Sequence, residues 1–121
     1  MGIRISTLED AGILEVVYSP DPVTPEALEE QRTLVAQALA QTNIRRVLLD
    51  ATSLARFPGI LTSLEHNESV SANPLLRKTR FAVVCSSLGP DEHGLETTGL
   101  NRGVDIKCFT SREDALAWLQ R

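Results

Sequence analysis

Two short apolar runs, Val47–Leu49 and Phe81–Cys85, stand out in the pattern of hydrophobic and polar residues. Each is apolar on both faces and is followed by turn-forming residues, a pattern typical of an inner strand that helices cover on both sides. Residues 3–8 and 104–109 alternate between apolar and polar positions, as strands with one exposed face do. Residues 13–18 follow the first strand after a short loop, so these two strands are predicted to form an antiparallel hairpin.

The first two helices are predicted from their start and stop signals. Thr24-Pro25-Glu26 combines a capping side chain with a proline suited to the first helical position, and the helix extends to about Gln41. A second helix is expected to open near Pro58, with Ile60, Leu61 and Leu64 among its apolar positions. Asn73-Pro74 ends this second helix, because a proline disfavours helical geometry in the residue before it.

The last two helices differ in the strength of their signals. Asp91 to Arg102 is predicted to be a short, irregular helix, because Gly94 and Gly99 each cost about 1 kcal/mol relative to alanine in a helix interior. Ser111 is placed to cap a final helix. The buried side of that helix is formed by four residues, Ala115, Leu116, Trp118 and Leu119.

The resulting element order is β-β-α-β-α-β-α-β-α, which predicts an α/β fold. We expect a mainly parallel five-stranded sheet with right-handed crossovers, an antiparallel N-terminal edge strand and helices covering the sheet. The chain has 121 residues, enough for one core between layers, and it has no linker or internal repeat. Residues 1–121 are therefore predicted to form a single domain.

Composition and charge exclude several classes of function. The net charge of −4 opposes binding to nucleic acid, and the basic clusters Arg45-Arg46 and Arg77–Arg80 are expected to be solvated loops before strands. No apolar run approaches the length of a membrane span, and the N-terminus lacks a signal-peptide pattern. Cys85 and Cys108 are expected to be free buried thiols, although a bridge between neighbouring strands is not excluded. These features together predict a cytoplasmic protein.

Catalytic and metal-binding motifs are weak. His66 with Glu68, and Asp91 with Glu92 and His93, lack a second histidine or a cysteine at ligand spacing, so no metal site and no cofactor are expected. A hydrolase triad built from Ser86 or Ser87 and His93 would lack the Gly-x-Ser-x-Gly elbow. The glycines likewise do not match phosphate-loop or dinucleotide motifs.

A binding surface is predicted where the two apolar strands end, because open α/β sheets place ligands outside the carboxyl ends of their strands. Phe57 and Pro58 are interpreted either as an exposed apolar knob or, for Phe57, as part of the core. The Ser86–Gly89 turn before the next helix could present backbone N–H groups to an anion, but Asp91 and Glu92 oppose this. The candidate partner-binding or ligand-binding residues are Asp50, Thr52, Ser53, Phe57, Pro58, Gly59, Ser86, Ser87 and Gly89.

The chain resembles the SpoIIAA-like group of domains, which includes anti-sigma factor antagonists and STAS modules. The resemblance covers the element order, the strands Val47-Leu48-Leu49-Asp50 and Phe81-Ala82-Val83-Val84, and the hairpin that leads into Pro25-Glu26. The final pattern from Val104 through Ser111 to Trp118-Leu119 is similar to the close of small STAS/SEC14-like proteins. Family members carry a phosphorylatable serine in the turn after the central strand. Here that turn is Arg56-Phe57-Pro58-Gly59, so the resemblance implies a module without the phosphoserine switch at this turn.

The resemblance favours a non-enzymatic regulatory or protein-interaction module with an unknown protein partner. The first alternative is a small protein that binds an apolar ligand or lipid, which the SEC14-like similarity implies. A small hydrolase is the weaker alternative. Thr52 and Ser53 are expected to be turn or cap residues. The predicted fold, with an edge strand and surface helices, is also compatible with a homodimer formed through one of them.

Overall fold

The computed structural model describes residues 2–121, which form an α/β fold. The five strands of these residues are β1 Ile3–Leu8, β2 Ile13–Tyr18, β3 Arg46–Asp50, β4 Arg80–Val84 and β5 Asp105–Phe109. Their α-helices are α1 Pro25–Ala40, α2 Ile60–Ala72, α3 Pro74–Arg77, α4 Pro90–Asn101 and α5 Arg112–Leu119. A single turn of 3-10 helix, Glu9–Ala11, connects β1 to β2.

The five strands form one sheet in the order β1-β2-β3-β4-β5. β1 is antiparallel to β2, and the remaining neighbours are parallel. Leu48 lies beside Ala82, and Asp50 lies beside Val84. The predicted layout is therefore confirmed, including the parallel pairing of the two apolar inner strands.

The sheet separates two cores of unequal size. The main core joins one face of the sheet to α1, α2, α3 and α4 through buried residues such as Val35, Val70, Leu76 and Leu95. The smaller core joins the other face to α5 alone; its buried members are Ile13, Leu48, Ala82, Val84, Ala115, Trp118 and Leu119. This division follows from topology, because successive right-handed crossovers between sequentially ordered parallel strands return on the same side of the sheet.

The first helix begins as its sequence predicts. Thr24 Oγ1 accepts a hydrogen bond from the backbone N–H of Ala27 at 3.1 Å, and Pro25 occupies the first turn. The buried stripe contains Leu28, Gln31, Val35 and Leu39. The predicted start of this helix is thus confirmed.

Helix α2 buries polar residues rather than its largest apolar ones. Its buried stripe is Ser63, Asn67 and Val70, whereas Ile60 and Leu61 are exposed. Asn67 Nδ2 donates hydrogen bonds to Leu95 O at 3.0 Å and Thr98 Oγ1 at 2.8 Å, which ties α2 to α4. The Asn73-Pro74 stop is correct, but a further short helix, α3, begins there.

Helix α4 is regular over 12 residues, in contrast to the irregular helix expected from its glycines. A Cβ at Gly94 would lie 2.7 Å from Ile60 Cγ1, and one at Gly99 would collide with Ile106 Cγ2. The two glycines therefore allow close packing of α4 against α2 and β5, which offsets their low helix propensity. Among residues 2–121, none of the helices has both the length and the apolar content needed to cross a bilayer.

Candidate functional site

The carboxyl ends of β3 and β4 bring two predicted loops together. The strands are parallel neighbours, so both chains leave the sheet at the same edge. Ser86 Oγ donates a hydrogen bond to the backbone carbonyl of Thr52 at 3.0 Å, which links one loop to the other. We call the surface formed by residues 50–61 and 86–91 the loop face. Asp50, Thr52 and Ser86 thus lie together, as predicted.

Asp50 and Thr52 form a local turn. Asp50 Oδ1 accepts hydrogen bonds from the Thr52 N–H at 3.0 Å and from Thr52 Oγ1 at 2.6 Å. This arrangement is an aspartate turn, in which a side chain replaces a backbone acceptor. The turn role expected for Thr52 is therefore confirmed. Ser53 and Ser87 are both exposed.

Phe57 belongs to the core rather than to an exposed knob. Its half-buried ring packs against the main core together with Leu54. Pro58 is also partly buried, and Gly59 is the N-cap of α2. Of the two interpretations of Phe57, the structure shows core packing.

The exposed apolar side chains of the loop face lie immediately beyond the predicted ones. Ile60 is 50% exposed, Leu61 76% and Leu88 43%, and the other large exposed apolar residue of the described chain, Leu100, is 62% exposed. Ile60 and Leu61 follow Gly59 in the first turn of α2, and Leu88 lies between Ser87 and Gly89. Sequence reasoning missed them because it treated apolar residues of α2 as buried.

The helix N-termini at the loop face differ in how they are capped. At α4 the N–H of Gly89 donates to Glu92 Oε1 at 3.0 Å, so the helix binds its own carboxylate. Glu92 therefore occupies the position that an external anion would need, in agreement with the prediction that it opposes anion binding. At α2 Gly59 offers no side-chain cap, and the first turn has no acidic residue. The α2 N-terminus therefore presents backbone N–H donors beside Ile60 and Leu61.

The metal-ligand groups and the serine–histidine pair considered from the sequence are not formed in the described part of the chain. Among residues 2–121 no three His, Cys, Asp or Glu side chains are grouped so as to hold a metal ion. Ser86 donates to Thr52 O, and His93 Nδ1 lies 3.7 Å from Glu96 Oε1. No hydrogen bond joins Ser86 or Ser87 to His93 within this part of the chain, so the geometry of a serine–histidine pair is not formed.

His66 is half-buried on the side of α2 that faces α1, where it lines the cleft between the two helices. Arg32 donates from Nη1 to His66 Nδ1 at 2.8 Å. Burial and the neighbouring Arg32 charge lower the pKa of His66 to about 4. The imidazole is therefore neutral at pH 7, and the proton it carries is on Nε2, because Nδ1 accepts the hydrogen bond.

The interior contains two small cavities between the helices and the sheet. One has a volume of about 20 Å³ and is lined by residues that include Asn67, whose Oδ1 has no hydrogen-bond partner. The other has a volume of about 40 Å³ and is lined mainly by apolar residues, among them Leu49, Phe57 and Val83. Volumes of this size hold one or a few water molecules.

The two basic clusters lie at the opposite end of the sheet, and they are not simply the solvated loops that the sequence predicted. Arg46 and Arg80 are the first residues of β3 and β4, and arginines of both clusters bind helix C-termini. Arg45 Nη1 donates to Leu39 O and Thr42 O, each at 3.3 Å. Arg80 Nη1 donates to Trp118 O at 2.6 Å. Because the last carbonyls of a helix lack intrahelical donors, these arginines satisfy the C-terminal ends of α1 and α5.

Cys85 and Cys108 are free, buried neighbours. Cys108 lies opposite Val83 in the β4–β5 pairing, and both thiols belong to the main core. The contact with Cys85, together with burial, raises the pKa of the Cys108 thiol. The expectation of free buried thiols is confirmed.

We expect neither thiol to react with Ellman's reagent in the folded protein, because attack requires an accessible thiolate. Absorbance at 412 nm should rise only after guanidinium is added, and should then report both cysteines. As a control, a Cys85→Ser variant should release half of this signal under the same denaturing conditions. Rapid reaction of one thiol without denaturant would contradict the burial of this pair.

The turn that the SpoIIAA-like resemblance assigns to phosphoserine contains the half-buried Phe57 ring, Pro58 and Gly59. A hydroxyl is absent from all three side chains. Kinship with the SpoIIAA-like group therefore stays a prediction carried by element order and by the quoted residues. No protein-family model matches this chain, and no curated protein matches it.

Proposed function

We propose that this protein is a non-enzymatic protein-interaction module that binds its partner through the loop face. The proposal is supported by one main observation. Of the four large apolar side chains exposed in the described chain, Ile60, Leu61 and Leu88 lie at this end of the sheet. Exposed apolar clusters on small domains are commonly sites of protein contact.

The framework beneath these side chains is held by its own hydrogen bonds. Thr52 bonds to Asp50, Ser86 bonds to Thr52, and Gly89 bonds to Glu92. Such a surface is formed before the partner arrives, so little ordering entropy is lost on binding. The open N-terminus of α2 adds backbone donors beside the apolar side chains, and a partner can satisfy them with carbonyl or carboxylate oxygens.

The resemblance to STAS modules also supports a protein-interaction function, but without regulation by phosphoserine at the Arg56–Gly59 turn. Phe57 and Pro58 replace the serine positions, so phosphorylation of this turn would not regulate binding. We therefore propose that binding at the loop face does not depend on phosphorylation of the Arg56–Gly59 turn.

The apolar-ligand alternative is less well supported. The interior cavities of about 20 and 40 Å³ are much smaller than the 300–1,000 Å³ typical of small-molecule pockets. A depression of about 530 Å³ reaches that size, but it is open to solvent and lined by three arginines, which does not suit an apolar ligand. A lipid chain would require α1 and α2 to move apart. Native mass spectrometry discriminates the two functions, since a co-purifying lipid would favour the carrier.

Substitution of Leu61 by aspartate is expected to weaken partner binding at least about tenfold, because a charge would replace an apolar contact that is buried in the complex. The wild-type protein is immobilised, its partner is identified by mass spectrometry, and affinities are measured by titration calorimetry. Leu61 is exposed, so the free energy of unfolding should change little.

Leu100→Asp is the matched control, because Leu100 is similarly exposed but lies at the C-terminal end of α4. It should bind the partner with wild-type affinity. Equal binding by Leu61→Asp and wild type would reject the loop face as the contact surface.

A further inference from the structure

The two edge strands of the sheet, β1 and β5, differ in whether a side chain bonds to their outward backbone groups. At the β5 edge, the backbone N–H of Cys108 donates to Glu96 Oε2 at 2.6 Å. Glu96 belongs to α4, so a helix side chain occupies a hydrogen-bonding position that another strand would need. Side chains that block an edge in this way prevent strand addition.

At the β1 edge, no side chain of residues 2–121 hydrogen-bonds to the outward backbone groups. β1 lies at the end of the strand order and pairs with β2 alone among the described strands. The N–H of Ser19 donates to Gly2 O at 2.8 Å, which identifies these residues as a hydrogen-bonded pair. Since hydrogen-bonded and non-bonded pairs alternate along antiparallel strands, Ile3, Ile5 and Thr7 direct their backbone groups away from the sheet.

We propose that β1 pairs with β1 of a second copy of this chain, antiparallel, so that one continuous sheet crosses both copies. The alternation restricts the register, because outward backbone groups must meet outward groups. The register that uses all three residues places Ile5 opposite the partner's Ile5. It also places Ile3 opposite the partner's Thr7, so that each of these pairs exchanges two backbone hydrogen bonds.

The side chains of β1 are compatible with this self-pairing. Arg4 is the only charged residue of the strand, and the register places it opposite the partner's Ser6 rather than opposite another arginine. Like charges therefore do not meet across the interface. Ile3 and Ile5 are half-buried on the face of the main core, where the two Ile5 side chains gain a cross-strand apolar contact.

The test is the molar mass of the intact protein by size-exclusion chromatography with light scattering over a range of concentrations. Wild type is expected to approach twice the chain mass of 13.2 kDa as concentration rises.

The variant Thr7→Pro removes an outward N–H, since proline carries no backbone donor. Thr7 is exposed, so this change leaves the core intact. We expect the dimer dissociation constant to rise at least about tenfold in Thr7→Pro and to stay unchanged in Thr7→Val, which keeps the donor.

A second measurement covers the case in which Thr7→Pro disturbs folding, as judged by circular dichroism. Arg4→Cys and Ser6→Cys proteins are mixed under mild oxidation, where a covalent heterodimer is expected because positions 4 and 6 face each other. Native thiols do not interfere, since Cys85 and Cys108 are buried.

Three outcomes would overturn the proposal. They are a wild type that keeps the mass of one chain at all concentrations, a folded Thr7→Pro variant that dimerises with wild-type affinity, and failure of the mixed cysteine variants to cross-link. The proposal is independent of the loop face, so Leu61→Asp should not alter the dimer.

Discussion

Replacing Trp118 by alanine is expected to lower the free energy of unfolding by about 3–5 kcal/mol, the usual cost of truncating a buried aromatic residue. Trp118 belongs to the smaller core, which one helix of eight residues joins to the sheet. The Phe109 ring centroid lies 5.6 Å from that of Trp118, and Arg80 Cζ lies 3.9 Å from the Trp118 ring centroid. Removal of the indole therefore leaves a cavity and takes away the surface on which Arg80 stacks.

Urea unfolding followed by far-UV circular dichroism measures this effect, because Trp118 is the only tryptophan and its fluorescence is lost in the variant. Trp118→Phe is the control: it keeps an aromatic ring, and we expect a loss of about 1–2 kcal/mol. A loss below about 1 kcal/mol in Trp118→Ala would mean that α5 contributes little to the cover of this face.

Acidification from pH 7 to pH 5 is expected to remove about 2 kcal/mol of stability through His66 alone. The folded pKa of about 4 lies below the ordinary value of 6.5. Unfolding therefore takes up a proton between these values, so stability is fully present above pH 6.5 and is lost as the pH falls towards 4. The cause is burial beside the cationic Arg32, which a protonated imidazole would face at hydrogen-bond distance.

The measurement is urea unfolding at several pH values, with His66→Gln as the test variant. The extra loss between pH 7 and pH 5 should disappear in His66→Gln and persist in His93→Gln, since His93 is exposed. Other charged groups line the cleft between α1 and α2, and their titration is common to all three proteins: Glu26, Glu29 and Glu65. Parallel pH curves for wild type and His66→Gln would contradict the assignment.

The strands and the first helix could be predicted because their signals are local. Val47–Leu49 and Phe81–Cys85 are apolar on both faces, and only a position between two helical layers accommodates such a strand. The short loop between β1 and β2 makes an antiparallel hairpin the simplest connection. At α1, Thr24 and Pro25 specify where the helix begins, without reference to the rest of the chain.

Helices α2 and α4 were harder to predict because their packing depends on partners far away in sequence. Gly94 and Gly99 weaken an isolated helix, yet in the fold they admit Ile60 and Ile106 at close range. Asn67 is buried since α4 supplies acceptors for its amide. Neither effect is visible in hydrophobic periodicity.

The candidate site also combines features that local sequence predicts with features that depend on distant contacts. Asp50, Thr52 and Ser86 were assigned to one surface because parallel neighbouring strands end at the same edge of a sheet. The apolar part of that surface was assigned to Phe57, although the exposed residues are Ile60 and Leu61. Phe57 packs against the main core while Ile60 and Leu61 stay exposed, and this choice depends on how α2 sits on the sheet.

The sequence by itself determined the order of the elements, the parallel inner strands and the two loops that follow them, because periodicity and capping act within a few residues of each other. Only the tertiary structure decided the side of the sheet on which each helix packs, the contacts of Phe57 with the core and of His66 with Arg32, and the open edge of β1. These properties depend on contacts between residues distant in the chain, whose geometry no local pattern specifies.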